Sequence, residues 1–170
     1  MKILAVSDSH GKNSNIDEAV KREMPFDIMA FCGDAEKSLD EYEFNSYYAP
    51  EGERYGFYAV CGNCDWRSSY PAEAEFTVCG HKIYLTHGHL SHIRAKLSDE
   101  GLLLEAAKRG ADIVLFGHTH QAKIEYYDDR GILLVNPGSL TYPRNGSGIG
   151  TYAVITAEEG KQPKAVIKEI

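Results

Sequence analysis

Asp8, His10, Asp34, Asn63, His87, His118 and His120 stand in five short turns of this 170-residue chain, each turn containing a glycine and following an apolar run. Imidazole and carboxylate together suit Mn, Fe or Zn, whereas Ca prefers oxygen ligands alone. Seven ligands are too many for one ion that must also leave room for a substrate. Two ions can share them if one carboxylate bridges. Two metals about 3.5–4 Å apart clamp an in-line displacement at phosphorus. With two aspartates and a bridging hydroxide the site keeps a net charge of about +1, which attracts a phosphate ester anion; bound water becomes a nucleophile near neutral pH.

Taken singly, these signals are weak. Asp8-x-His10 and His118-x-His120 also fit residues sharing a solvent face, and Gly-Asp and Gly-Asn are ordinary turn chemistry. Their joint occurrence at strand ends is what points to a site, because ligands of open α/β sheets collect beyond the carboxyl ends of strands. Cys61-Gly62-Asn63-Cys64 leaves two chemistries open: a zinc clip through both thiols, or a metal ligand at Asn63 with Cys64 beside it. A closed zinc site needs a further ligand pair, and Cys32 and Cys79 stand apart.

The elements that must position these residues alternate in type. Residues 2–6 read as a buried strand, followed by a helix to Met24 that Ser14 or Asn15 can cap. Residues 27–32 read as a second strand, 35–55 as a short helix and exposed loop, and 56–60 as a third strand. Residues 75–79 and 82–86 flank Gly80-His81, a two-residue hairpin signal. Residues 99–109 are helical, stopped by Gly110, and 112–116 form another strand. The segments 122–128, 131–135, 150–156 and 164–169 read as strands joined by turns. Two mixed sheets packed together with helices outside fit this order.

Composition sets the class. Hydrophobic residues at 43% and charged residues at 25% are ordinary for a globular protein, and the length suits one domain, residues 1–170. The net charge of −7 disfavours long nucleic acids. No apolar run approaches a membrane span and the first residues lack signal-peptide character, so a cytoplasmic protein with free thiols is expected.

The series Asp8-x-His10, Gly33-Asp34, Gly62-Asn63, His87-Gly88-His89 and Gly117-His118-x-His120 resembles the calcineurin-like metallophosphoesterase superfamily. Gly62-Asn63-Cys64-Asp65 and Asn136-Pro137-Gly138-Ser139 resemble its compact bacterial and archaeal phosphodiesterase branch, related to the retromer subunit Vps29. The resemblance implies an α/β fold, a four-layer α/β/β/α sandwich of two mixed β-sheets flanked by helices, with the metal site at strand ends. It implies that Asp8, His10 and His120 bind one metal, that Asn63, His87 and His118 bind the second, and that Asp34 bridges. Asn63, not a thiol pair, is then the working residue.

The implied activity is that of a dinuclear metal-dependent phosphodiesterase acting on a small phosphate ester. Two divalent ions per chain are implied, with Mn preferred and Fe, Ni, Co or Zn admitted by the ligands. A homodimer is implied by analogy. The alternative is a catalytically weak or inactive protein-binding scaffold of the same fold. Where many members have Gly-Asn-His, this chain has Cys64, a poorer acid at neutral pH. His89, set beside Asn63 and Asp34 in the catalytic set, is either the substitute acid or hydrogen-bond donor, or a residue that supports the ligands or shapes its turn. Esters with good leaving groups are therefore expected to react faster.

Other residues carry two readings each. Asp65 orients a neighbour or finishes its turn, and Asn136-Pro137-Gly138-Ser139 reads as a rigid loop near the site or as a direct contact to phosphate. Arg67 and Arg144 either hold ester oxygens or face water. Trp66 either stacks on an aromatic group or packs at a rim. His81 and His92 are expected to face solvent. The tyrosines at 42, 47, 48, 55 and 58 suggest a lid, a subunit contact or a partly buried loop.

Overall fold

The computed structural model describes residues 1–90 and 99–170. In chain order the elements are β1 (Lys2–Val6), α1 (Asn13–Glu23), β2 (Ile28–Phe31), α2 (Asp40–Tyr48), β3 (Gly56–Ala59), β4 (Glu73–Val78) and β5 (His81–Thr86). They continue with α3 (Asp99–Arg109), β6 (Ile113–Leu115), β7 (Lys123–Tyr127), β8 (Ile132–Asn136), β9 (Thr151–Thr156) and β10 (Lys164–Glu169). One sheet has the order β10-β9-β1-β2-β3 and the other β4-β5-β6-β8-β7.

Strand alternation makes the layers. Ile3, Ala5, Ile28 and Ala30 face Ile83, Leu85, Ile113 and Leu115 across the gap between the sheets. Their neighbours Leu4, Val6, Met29 and Phe31 point the other way, onto Ile16 and Ala19 of α1 and Tyr42 of α2. On the far side Tyr84, Val114 and Leu134 meet Leu102, Leu103 and Ala106 of α3. The result is the expected α/β/β/α sandwich. Central strands buried on both faces read as continuous apolar runs, and each fully buried Ile or Leu contributes about 1.5–3 kcal/mol.

Within the first sheet β1, β2 and β3 are mutually parallel; within the second so are β5, β6 and β8. Six strand ends therefore deliver their turns to two sheet edges. These edges meet where Cys32 O receives the His87 Nδ1 proton across 2.7 Å.

Three local expectations need correction. α1 begins at Asn13 without a side-chain cap; Asn15 instead donates to Leu140 O at 2.7 Å, tying the helix to the loop after β8. The hairpin turn is Cys79-Gly80, not Gly80-His81, with Val78 paired to His81. Both turn residues have positive φ, 48° and 80°, as a two-residue turn matching strand twist requires. His81 is consequently a strand residue, 7% exposed rather than facing solvent. Its Nδ1 lies 2.6 Å from Asp112 Oδ2 and its Nε2 3.1 Å from Glu158 O. His92 lies outside the described residues.

The tyrosines divide. Tyr42 and Tyr55 are buried with bonded hydroxyls, Tyr42 to Asp17 at 2.6 Å and Tyr55 to Tyr42 O at 3.0 Å. Tyr58 stacks on Phe76, ring centroids 3.9 Å apart. Tyr47 and Tyr48 are exposed on α2.

Candidate metal centre

Beyond the last strand pairs the backbone stays zipped. Asp8 N donates to Gly33 O at 3.0 Å, His10 N to Asp34 O at 3.1 Å and Gly11 N to Ala35 O at 2.8 Å. Gly117 N reaches His87 O at 3.3 Å. Holding side chains inward from such tight loops forces left-handed backbone at Asp8 (φ 55°), His10 (44°), Asp34 (60°), Glu36 (59°), His118 (69°) and His120 (57°). That conformation costs an L-residue about 1–2 kcal/mol. Among the described residues only Cys79, in the hairpin turn, shares it outside these loops. Backbone strain of this kind gathers where function over-determines geometry.

Five of the seven ligand candidates bring ligand atoms together, and Asn63 and His118 stand beside them. Asp8, His10 and His120 bring ligand atoms within 4.8 Å of one another, and so do Asp8, Asp34 and His87. His120 Nε2 is 3.1 Å from Asp8 Oδ1 and 3.2 Å from His10 Nε2. His87 Nε2 is 3.3 Å from Asp34 Oδ2 and 3.2 Å from Asn63 Oδ1. The His118 ring stands 5.2 Å from that of His87, centroid to centroid. Asp8, Asp34 and His87 form a buried floor, while Asn63 is exposed at the rim.

Three imidazoles are oriented alike. Nδ1 of His10 lies 2.6 Å from Glu36 Oε1, Nδ1 of His87 2.7 Å from Cys32 O, and Nδ1 of His120 2.9 Å from Tyr142 O. Each acceptor holds the ring proton on Nδ1 and leaves the Nε2 lone pair turned inward, the arrangement that metal-binding histidines use. Asp8 Oδ1, wholly buried, makes no well-formed hydrogen bond; facing it at 3.1 Å is His120 Nε2, the nitrogen that carries the ring's lone pair. A buried carboxylate oxygen without a donor is costly unless a cation meets it. The residues present therefore fit divalent cations.

Charge tells the same story. Burial opposes ionisation of Asp34, yet His87 and the amide of Cys64, 2.7 Å from Oδ1, hold its carboxyl well below the usual range. Burial opposes charge on His87, but the carboxylates of Asp34 and Asp8 raise its pKa overall. The floor calls for positive charge.

Close packing fixes the carboxylates. A methyl group at Gly62 would overlap Asp34 Oδ1 and approach Asp34 N to 2.6 Å, and one at Gly117 would overlap Ser7 Oγ. Asp65 orients its neighbours, its carboxylate accepting from the amides of Asp34, Glu36 and Gly62, each at 2.8 Å. The loop of Asn136-Pro137-Gly138-Ser139 braces the site: Asn136 Nδ2 donates to Gly117 O at 2.8 Å and Ser139 Oγ to Asp8 O at 2.9 Å.

Residues 1–160 match the calcineurin-like phosphoesterase superfamily domain. The chain belongs to this family. It is 36% identical over 159 residues to the probable metallophosphoesterase YsnB of Bacillus subtilis, covering 93% of this chain and 85% of that protein. It is 25% identical to a phosphodiesterase of Methanocaldococcus jannaschii, covering 99% and 100% of the two chains. Wild-type Vps29 of Entamoeba histolytica, crystallised with Zn²⁺, shares the fold at a TM-score of 0.72 and 16% identity, with 99% of each chain covered. As a family member the chain is a metal-dependent phosphoesterase, and no helix among its described residues is long and apolar enough to cross a membrane.

The remaining candidates sort by position. Cys61 belongs to no group of potential ligands among the described residues, and all four cysteines are free. Burial, then the Asp34 carboxylate, pushes the Cys64 thiol up to about 11, so it is neither a thiolate nucleophile nor a ready acid at neutral pH. The His89 ring stands 5.3 Å from that of His87. Trp66 is 92% exposed and Arg67 exposed, both lining a cavity beside the centre. Arg144 is exposed; its amide donates to His120 O at 2.8 Å. Glu36, which orients His10, went unnoticed in the sequence, because its bond spans 26 residues and no local pattern marks it.

Proposed function

We propose that residues 1–170 work as one metallophosphoesterase domain hydrolysing small phosphodiesters with a dinuclear centre. Asp8, His10 and His120 hold one ion, Asn63, His87 and His118 the other, and Asp34 lies between. The observation that carries this is the inward Nε2 atoms of three anchored imidazoles around Asp8 and Asp34, two buried carboxylates. The phosphodiesterase named among the relatives supports the substrate class, and the mixture of imidazole and oxygen ligands supports Mn, with Zn the ion named for one neighbour of this fold. Divalent ions held there would supply positive charge for the phosphoryl oxygens and lower the pKa of water.

The protein's own groups prepare that chemistry. Asn63 contributes a neutral oxygen, so the site stays positive toward an anionic ester. The Cys64 amide and Asp65 keep Asp34 aimed inward. His89, its ring 5.3 Å from that of His87, would donate a hydrogen bond toward the departing oxygen. In the enzyme reading every one of the seven positions is filled by a capable ligand, which a scaffold does not require.

Hydrolysis of bis(p-nitrophenyl) phosphate by metal-stripped protein, with Mn titrated back, tests the reading. Turnover should saturate near about two ions per chain and vanish in Asp34→Asn. Mn binding without turnover of any diester or monoester would move the scaffold function ahead.

A further inference from the structure

Next to the centre the surface opens into a cavity of about 510 Å³ walled by residues 35–40 and 64–70 with Val60. It shares Glu36 and Cys64 with the centre itself: Glu36 is bonded to His10, and the Cys64 amide to Asp34. A ligand whose phosphorus sits on the ions would thus extend directly into it.

The cavity's chemistry is uneven in an informative way. Its buried wall is apolar, Leu39 and Val60. Two of its acids are already engaged, Glu36 by His10 and Asp65 by three backbone amides. Asp40 belongs to the first turn of α2, where the helix dipole suits it. Lys37 and Arg67 also line the cavity, and among the described residues neither makes an ion pair. The Lys37 stem passes over Gly11, where a Cβ would lie 3.5 Å from Lys37 Cε, placing it beside the His10 loop. Trp66, between Cys64 and Arg67 in the wall, leaves 92% of its surface in water.

A bare indole in a cavity lined by two cations that make no ion pair among the described residues matches a planar ring that carries an anion. Aromatic faces stack on rings with little regard to their substituents, while Lys and Arg hold phosphate through charge-assisted hydrogen bonds. We propose that this cavity binds one arm of the diester, an aromatic ring bearing a second anionic group, with the ring on Trp66 and the anion between Lys37 and Arg67. A nucleotide arm has this chemistry, and so does a simpler aryl phosphate. The proposal rests on the phosphodiesterase reading, for it is the scissile phosphorus on the ions that aims an arm this way. The acidic chain, net −7, keeps the ligand short.

Trp66 is the sole tryptophan, so its fluorescence reports on this cavity alone. Adenosine monophosphate, phenyl phosphate, adenosine and ribose 5-phosphate are each titrated into the Mn-loaded full chain. The nucleotide or phenyl phosphate should quench saturably, with adenosine and ribose 5-phosphate at least about tenfold weaker. Whichever of the first two binds tighter identifies the source of the ring. The double substitution Lys37→Ala/Arg67→Ala should weaken the better ligand about tenfold or more. Unchanged affinity in that variant would place the anion on the ions and overturn the assignment, as would the absence of saturable quenching. Mn-dependent turnover of bis(p-nitrophenyl) phosphate is measured on the same samples. Turnover without quenching removes the cavity assignment and keeps the phosphodiesterase; quenching without turnover keeps a site for a ring-bearing anion but overturns its assignment to a diester arm.

Discussion

His81 and His87 stand at opposite ends of β5, each with its imidazole buried against a carboxylate, and they do different work. His81 has one carboxylate, Asp112, on one nitrogen and the Glu158 carbonyl on the other, a set that a single protonated ring satisfies. His87 spends Nδ1 on a carbonyl and turns Nε2 toward Asp34 and Asn63, with Asp8 alongside, and among the described residues the ion-pair partners of Asp8 and Asp34 are histidines. The backbone separates the two ends as well. Six non-glycine residues adopt positive φ around His87, whereas near His81 only the turn residue Cys79 does. A buried histidine completed by protein acceptors ties strands together; one left facing buried carboxylates from strained loops is waiting for a cation.

The largest test of that contrast is His87→Ala against His81→Ala. The former should lower phosphodiester turnover at least about 10²-fold and raise the Mn concentration needed for half-activity. His81→Ala should leave Mn half-saturation within about threefold. Similar losses of metal affinity in both would collapse the distinction between the two ends.

Leaving-group dependence sharpens the description of the His87 end. With Cys64 where an imidazole acid is common, matched aryl and alkyl diesters should differ in rate by at least about tenfold when chemistry limits. Equal rates would mean that an efficient proton donor is present after all.

Glycine substitutions probe the packing of each end. Gly62→Ala pushes a methyl into Asp34, and should cost about 1–3 kcal/mol and most Mn affinity. Gly160→Ala, in the turn before β10, has open space but φ +68°, and should cost about 1 kcal/mol with turnover retained. Denaturant melts with Mn titrations on both proteins separate these outcomes.

The smallest effect is pH-dependent. Burial disfavours charge on His81, but the Asp112 hydrogen bond and the carbonyl partner raise its pKa above the ordinary value. Its stabilisation is then fully present below about pH 6.5 and is lost as pH rises through the raised folded value. Wild type should melt a few degrees above His81→Ala at pH 6, about 2–4 °C per kcal/mol, and the gap should close toward pH 9. A gap that widens with pH would show that the ring is held neutral.

What the sequence made legible follows from locality. Residues 2–6 and 164–169 have the bounds of β1 and β10, and α3 ends at Arg109 where Gly110 stops it, because strand runs and a helix closed by a C′ glycine are written in adjacent residues. The α3 stop carries the Gly110 N to Ala107 O and Ala111 N to Ala106 O bonds of that motif, 3.1 and 2.9 Å. The one-residue error at the hairpin had a physical source. Gly80 marks a turn but not which neighbour completes it, and His81 is drawn into β5 by Asp112 and Glu158, 31 and 77 residues away.

The family and the seven ligand candidates were determined by sequence alone, since short motifs at strand ends specify both loop geometry and donor type. Only the tertiary structure decided which imidazoles are anchored through Nδ1, that Asp8 carries an unpartnered buried oxygen, that Glu36 serves His10, and that Trp66 stands bare beside Arg67. Each of these depends on contacts or exposure created when distant loops meet, and a linear pattern of residue types does not encode which polar atoms find partners there.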